Sequence, residues 1–330
     1  MKCAYCGKEA KGTKEHIISC SVLDLFPECY LTLDETRGVV HQADPVVKDV
    51  CAKCNNEKLS YIDDYANNLI SQYFTRKYAE NDELEIEFNY VMVQKMLLKY
   101  AFNDLRAHSE SCAFFDDEML HYLLNETDDL PKGNVTVLCG LAVNVTPLPD
   151  AAFGNLKLRW CKDPLFLSNS TVLHIDYDTG KIVLNEDVET EHFQDLQLSY
   201  AFRFNSVQFI LLCWDKSSQK IESNNAILRC QYPYHLMKVT EGAVALPVCT
   251  DEVNYCHFEH IHVKWDGLFE VGRMRKLASR ESYQYKEQLE KEWEKRGRNT
   301  QTISPAMTAF LQEDRMISQC RGDRFWCAPD

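Results

Sequence analysis

Cys3 and Cys6, and again Cys51 and Cys54, form two Cys-x-x-Cys pairs in a chain with fifteen cysteines. Two thiolates at that spacing reach one tetrahedral ion, and two such pairs close its shell, which is the ligand set of a structural Zn2+. Gly7 follows Cys6 directly and permits the positive φ that turns backbone N–H groups toward sulfur. The remaining cysteines show no second paired pattern and read as small core hydrophobes. Their total is odd, and the first residues, MKCAYCGKEAKG, lack the apolar core of a secretory signal. Both points favour a reducing cytoplasm and metal binding over disulfides. Two unrelated free-thiol pairs are the plainer alternative. A redox Cys-x-x-Cys fits less well, because neither pair ends a hydrophobic strand that opens a helix.

Between the pairs lies Glu15-His16-Ile17-Ile18, and directly after Cys54 come Asn55 and Asn56, with Glu57 and Asp63 farther along the same segment. A carboxylate, an imidazole and a side-chain amide are the parts needed for metal-assisted hydrolysis. The imidazole deprotonates water, and a cation stabilises the charge that builds on the substrate. Taken in order, the first Cys-x-x-Cys, the acid–His pair with its aliphatics, and the closing Cys-x-x-Cys-Asn resemble the zinc-stabilised branch of the HNH, or ββα-metal, endonucleases. The resemblance covers residues 3–75 only. It implies that Glu15 is a ligand of a catalytic Mg2+ or Mn2+, His16 the general base and Asn55 a second ligand. Asn56 is the alternative to Asn55, and His41 a lower-ranked candidate in the intervening loop. The sequence departs from the family in having Glu rather than Asp before the histidine and Ser19 where a proline is usual. Consecutive strand residues point to opposite sides, so Glu15 and His16 converge only if a twist or bulge intervenes. The blander alternative makes His16 structural, Glu15 a solvated charge, and the module a zinc-dependent binding scaffold.

These residues need elements to hold them. In residues 55–74 the apolar positions Leu59, Ile62, Ala66, Leu69, Ile70 and Tyr73 predict a helix, with Asn55 as its N-cap. Residues 90–107 predict a second, and residues 116–130 a short acidic one. From residue 134 the texture changes to β-branched and aromatic runs such as NVTVLCGLAVNV and YAFRFNSVQFILLCW, separated by turn signals. The expected fold is α+β: a small zinc-stabilised ββα-metal module at 1–75, a helical connector at 76–133, a mostly antiparallel β-rich domain at 134–270, and a charged helix and tail at 271–330.

The formal charge of −14 disfavours a nonspecific nucleic-acid coat, but the charge is unevenly spread. Residues 110–200 carry sixteen acids against five bases, whereas residues 1–60 carry nine against eight. Lys8, Lys11 and Lys14 beside the acid–His pair, and Arg273, Arg275 and Lys276 in the last helix, are the candidate contacts to nucleic acid. His257, His260 and His262 read as a strand with paired histidines, and Asp116, Asp117 and Glu118 as a solvated helix start. No run of about 18 apolar residues exists, so no membrane partner is expected. The expected function is a cytoplasmic, metal-dependent endonuclease acting on DNA, with antiphage defence or restriction as its setting and a regulatory protein partner as a further expectation. Cleavage of RNA, or binding without cleavage, are its rivals.

Overall fold

The computed structural model describes residues 1–26, 32–34, 39–41, 46–76, 78–79, 81–127, 131–142, 158–162, 173–176, 181–184, 193, 195–231 and 234–249. Within them the chain is mixed helix and sheet. The expected helix at 271–297 and the histidine cluster at 257–262 lie outside the described residues.

The N-terminal segment is built on an antiparallel pair, β1 (Gly12–His16) and β4 (Val46–Cys51). Thr13 pairs with Val50 but Glu15 pairs with Val47, so β4 carries one extra residue opposite β1. The extra residue lies in β4 and does not bring the two side chains of β1 together: Glu15 is buried, whereas His16 is half-buried. The strands approach so closely at Gly12 that a Cβ there would sit 2.2 Å from the Lys48 carbonyl oxygen, so only glycine fits. Between these strands come α1 (Cys20–Leu23) and a short hairpin of β2 (Thr32–Asp34) and β3 (Val39–His41), in which His41 pairs with Thr32.

After the second cysteine pair the chain departs from the expected helix. Cys54–Lys58 form a π-helical turn, and α2 (Ser60–Tyr73) starts only after Leu59, with no side-chain cap. The reason is tertiary: the Asn55 amide is used on β1 instead of capping its own helix.

β5 (Leu84–Glu87) leads into α3 (Tyr90–Ala107), which matches its sequence prediction and is capped by Asn89 Oδ1 accepting from Met92 N–H at 3.3 Å. The acidic segment yields α4 (Asp117–Leu124), capped by Asp116 with Asp117 and Glu118 in its first turn, where acids favour the helix dipole.

The β-rich part forms β6 (Val135–Ala142), β7 (Leu158–Lys162), the hairpin β8 (Leu173–Asp176) and β9 (Lys181–Leu184), β10 (Leu196–Phe204) and β11 (Val207–Trp214). Beyond β11 come α5 (Ile221–Gln231), β12 (His235–Leu236), β13 (Ala243–Leu246) and β14 (Val248–Cys249). The main sheet runs β12-β6-β11-β10-β7, antiparallel throughout, with β14 added parallel to β6. β13 pairs instead with β5. Helix α5 was not expected, since 134–270 read as β-rich.

Every residue of β11 is buried, because both faces of the sheet are covered. Phe209, Leu211 and Cys213 join the larger core with α3, while Ile210, Leu212 and Trp214 pack with Leu228 of α5. That larger core is continuous from Cys3 to Leu246 and includes Tyr5, Ile17, Tyr100 and Phe202. The β10–β11 turn also reaches α2: Asn205, at φ 50°, donates its amide to the carbonyls of Phe74 and Arg76 at 2.8 and 3.0 Å. It thereby satisfies the Phe74 carbonyl at the C-cap of α2 and a carbonyl of the turn that follows. No helix among the described residues is long and apolar enough to cross a membrane.

Candidate functional site

The ligand atoms of Cys3, Cys6, Cys51 and Cys54 all lie within 4.8 Å of one another. Cys6 and Cys51 Sγ are 3.9 Å apart, close to the sulfur spacing that a tetrahedral ion with Zn–S bonds of about 2.3 Å requires. Gly7 adopts φ 68° and its N–H bonds the Cys3 carbonyl at 2.9 Å, which closes the first knuckle. The Cys51 N–H donates to Cys3 Sγ at 3.3 Å and ties the two knuckles together.

The thiol chemistry suits a cation. Burial works against a thiolate at Cys3, but backbone hydrogen bonds from the Cys6, Cys51 and Tyr5 amides outweigh it and bring its pKa down to about 7. Burial and the neighbouring thiols push Cys54 up. One thiolate forms readily here and resists the next, a cost that a divalent ion at the centre removes. Four cysteines with no open position make a structural rather than a catalytic site, and the donor set fits Zn2+.

The cysteine cluster brings Asn55 onto β1. Its Nδ2 donates to Thr13 Oγ1 at 3.0 Å and to the Lys14 carbonyl at 2.8 Å, at the two residues preceding Glu15. With the amide nitrogen turned to the strand, Oδ1 is the end directed away from it. Asn56 is exposed, as are Lys8, Lys11 and Lys14. His16 is half-buried. His41 is placed by its backbone in β3, and Arg273, Arg275 and Lys276 lie outside the described residues.

Glu15 points the other way, into the core, where it is 3% exposed. Its Oε1 lies 2.8 Å from the Nζ of Lys99 and 3.4 Å from Nδ2 of Asn103, both on α3. Lys99 also meets Asp63 of α2 at 2.6 Å. Burial alone would pull the Lys99 ammonium down, but Asp63 and Glu15 more than reverse this and hold it charged. Two carboxylates share that one ammonium, and burial pushes Asp63 up. The resemblance implies Glu15 as a ligand of Mg2+ or Mn2+. A hydrated ion of that kind keeps several waters in its shell. A buried carboxylate already held by an ammonium does not fit that role.

Lys99 and Asn103 are not among the residues the sequence singles out, because only the apolar positions of α3 are read there. The available signal was their period. Lys95, Lys99 and Asn103 stand four residues apart within an apolar run, and all three are fully buried. Lys95 Nζ donates to the Asn125 carbonyl at 2.7 Å and lies over the Tyr122 ring at 4.6 Å.

No family model, curated protein or solved structure matches the chain, so the reading of the site rests on its own residues and geometry.

Proposed function

We propose that the N-terminal segment is an HNH-type nuclease module that hydrolyses phosphodiester bonds, in DNA first, with Zn2+ on Cys3, Cys6, Cys51 and Cys54 and with His16 as general base. The observation that carries the reading is the joint placement of the four cysteines and Asn55. The closing Cys-x-x-Cys delivers the amide that follows it to the strand residues just before Glu15–His16, across a bulge. The order of motifs along the sequence thus becomes a spatial cluster.

In this reading His16 removes a proton from water as the oxygen attacks phosphorus. The new P–O bond forms while the bond to the leaving ester oxygen breaks, and solvent protonates that oxygen. A general base of this kind contributes about 10²–10⁴ in rate. Asn55 fixes the strand that carries the base. The divalent-ion requirement that the resemblance implies is assayed directly, because Glu15 is not free to serve it. An antiphage or restriction setting with a regulatory partner accords with a small nuclease module joined to a larger sheet, and rests on analogy.

The test is incubation of matched DNA and RNA substrates with wild-type protein and His16→Ala, with and without Mg2+ or Mn2+. The expected result is cleavage of DNA by wild type and its loss in the variant, with zinc retained. A variant that cleaves at the wild-type rate removes His16 from the mechanism, and activity confined to RNA reassigns the substrate. A second reading, a zinc-dependent binding module without turnover, is favoured by one observation, the commitment of Glu15 to Lys99. Binding of nucleic acid by wild type without cleavage under any ion would select it.

A further inference from the structure

Four residues on one side of α3 hold the strand pair at its bulge. Lys99 takes the Glu15 carboxylate. Tyr100 OH lies 3.1 Å from Ser19 Oγ, three residues beyond His16. Asn103 Nδ2 donates to the His16 carbonyl at 2.8 Å. Arg106 Nε forms an ion pair with Asp49 Oδ2 of β4 at 3.1 Å, and its guanidinium lies over the Phe102 ring at 4.0 Å. Positions 99, 103 and 106 fall on one stripe of a helix, and position 100 adjoins it.

The Asn103 amide is the most tightly specified member. Its oxygen accepts from Tyr5 OH at 2.7 Å and from Arg106 Nη2 at 2.9 Å, which leaves the Nδ2 end to face β1. There it meets the His16 carbonyl and, at longer range, Glu15. Both acceptor positions and both donor hydrogens of the amide therefore have partners, so its orientation is fixed from both sides. Tyr5 belongs to the first cysteine knuckle, and Asp49 belongs to the bulged strand. The amide thus joins the knuckle, the helix and the backbone of the histidine. The ring of Tyr100, whose hydroxyl meets Ser19, packs against Phe202 and Phe204 of β10 at ring separations of 6.1 and 6.3 Å, so the helix rests on the main sheet.

We propose that Lys99 and Asn103 are positioning residues for His16: they anchor the Glu15–His16 dipeptide to α3, with Glu15 as the tether. The cysteine-bounded segment then does not set the geometry of its own histidine. It borrows that geometry from a helix outside residues 1–75, supported by the sheet. This rests on the nuclease reading for its kinetic consequence but not for its structural one. Displacement of a reacting group by about 1 Å can cost on the order of 10² in rate.

The test uses full-length Asn103→Ala and Lys99→Arg, with zinc content and thermal midpoint as controls. kcat and KM are measured on a short DNA duplex, and the His16 imidazole is followed by NMR in histidine-labelled protein, assigned with His16→Gln. For Asn103→Ala the expected result is a fall in kcat of about 10-fold to 100-fold with KM within about twofold, one zinc retained, and a shifted or broadened His16 signal. Lys99→Arg keeps the charge, moves it, and is expected to give a smaller fall of the same kind. It also serves if Asn103→Ala does not fold. Unchanged kcat and an unchanged His16 signal in a folded variant overturn the proposal. If wild type cleaves neither DNA nor RNA, the nuclease reading falls by itself, and the His16 signal still decides the positioning role: a perturbed signal supports it and an unperturbed one overturns it.

Discussion

The Lys99 ammonium lies 2.8 Å from Glu15 Oε1, and both side chains are shut away from solvent. Charges taken out of water lose much of their solvation, and only mutual attraction with good geometry offsets that loss. Removing one partner leaves the other buried and unpaired. Lys99→Met is therefore expected to lower the unfolding free energy by about 3–5 kcal/mol in urea titration. Adding Glu15→Leu to Lys99→Met should restore part of the loss, because no unpaired carboxylate then remains at Glu15, while Asp63 is partly open to water. A single variant within about 0.5 kcal/mol of wild type, the range of ordinary surface changes, would show that the pair does not hold the strand.

The cysteine cluster makes a prediction about metal. Purified protein should contain one tightly held zinc, and Cys51→Ser should lose zinc and solubility together. Structural zinc in small modules contributes folding energy on the order of 10 kcal/mol. Cys51 also donates its backbone N–H to Cys3 Sγ, so the two knuckles should loosen together. Elemental analysis reads the stoichiometry, and native protein without zinc would end the idea.

How far the sequence reached depended on whether the relevant physics was local. Metal-ligand spacing is local chemistry, so Cys3, Cys6, Cys51 and Cys54 could be read directly and do come together. The bounds of α3 were also legible, because its apolar period is strong and Asn89 caps it in place. Asn55 shows the limit. A residue of cap type next to a helical pattern looked like a cap, but its amide is spent on Thr13 and Lys14, residues made neighbours only by the fold. Glu15 shows it more sharply. No local rule distinguishes a carboxylate that binds a metal from one that meets a lysine 84 positions away. Helix α5 was missed because its buried face combines Leu228 with the polar Asn224 and Asn225, which weakens the apolar period.

A third prediction concerns how α3 is seated on the sheet. Trp160 Nε1 and Tyr200 OH both donate to the Asp104 carboxylate at 2.8 Å, one to each oxygen. Charge-assisted bonds to a shared acceptor are stronger than neutral ones. Tyr200→Phe removes one donor to a charged acceptor and should cost about 1.5–3 kcal/mol, whereas Asp104→Leu removes the acceptor of both and should cost more. Chemical denaturation of the two variants checks the order. A larger cost for Tyr200→Phe would mean that Asp104 is not the hub of the contact.

The last prediction asks how an acidic chain grips an anion. Residues 110–200, with sixteen acids and five bases, repel a phosphate backbone. The N-terminal segment differs: Lys8, Lys11, Lys14, Lys48, Lys53 and Lys58 are all exposed there. Lys14 of β1 and Lys48 of β4 lie at the bulge opposite Glu15, on strands whose inward positions are taken by Glu15 and Val47. Each phosphate neutralised by such a lysine adds about −0.9 to the slope of log K against log salt for duplex DNA. Exposed Glu9 and Glu57 lie in the same segment and weaken its attraction for a phosphate backbone. Binding should therefore be weak, with a slope on the order of −3 to −5. Replacing Lys8, Lys11 and Lys14 together by Ala should flatten the slope by up to about 2.7, three times the single-contact value. Fluorescence anisotropy of a labelled duplex across a salt series measures both slopes. An unchanged slope in the triple variant would take these lysines out of the interface.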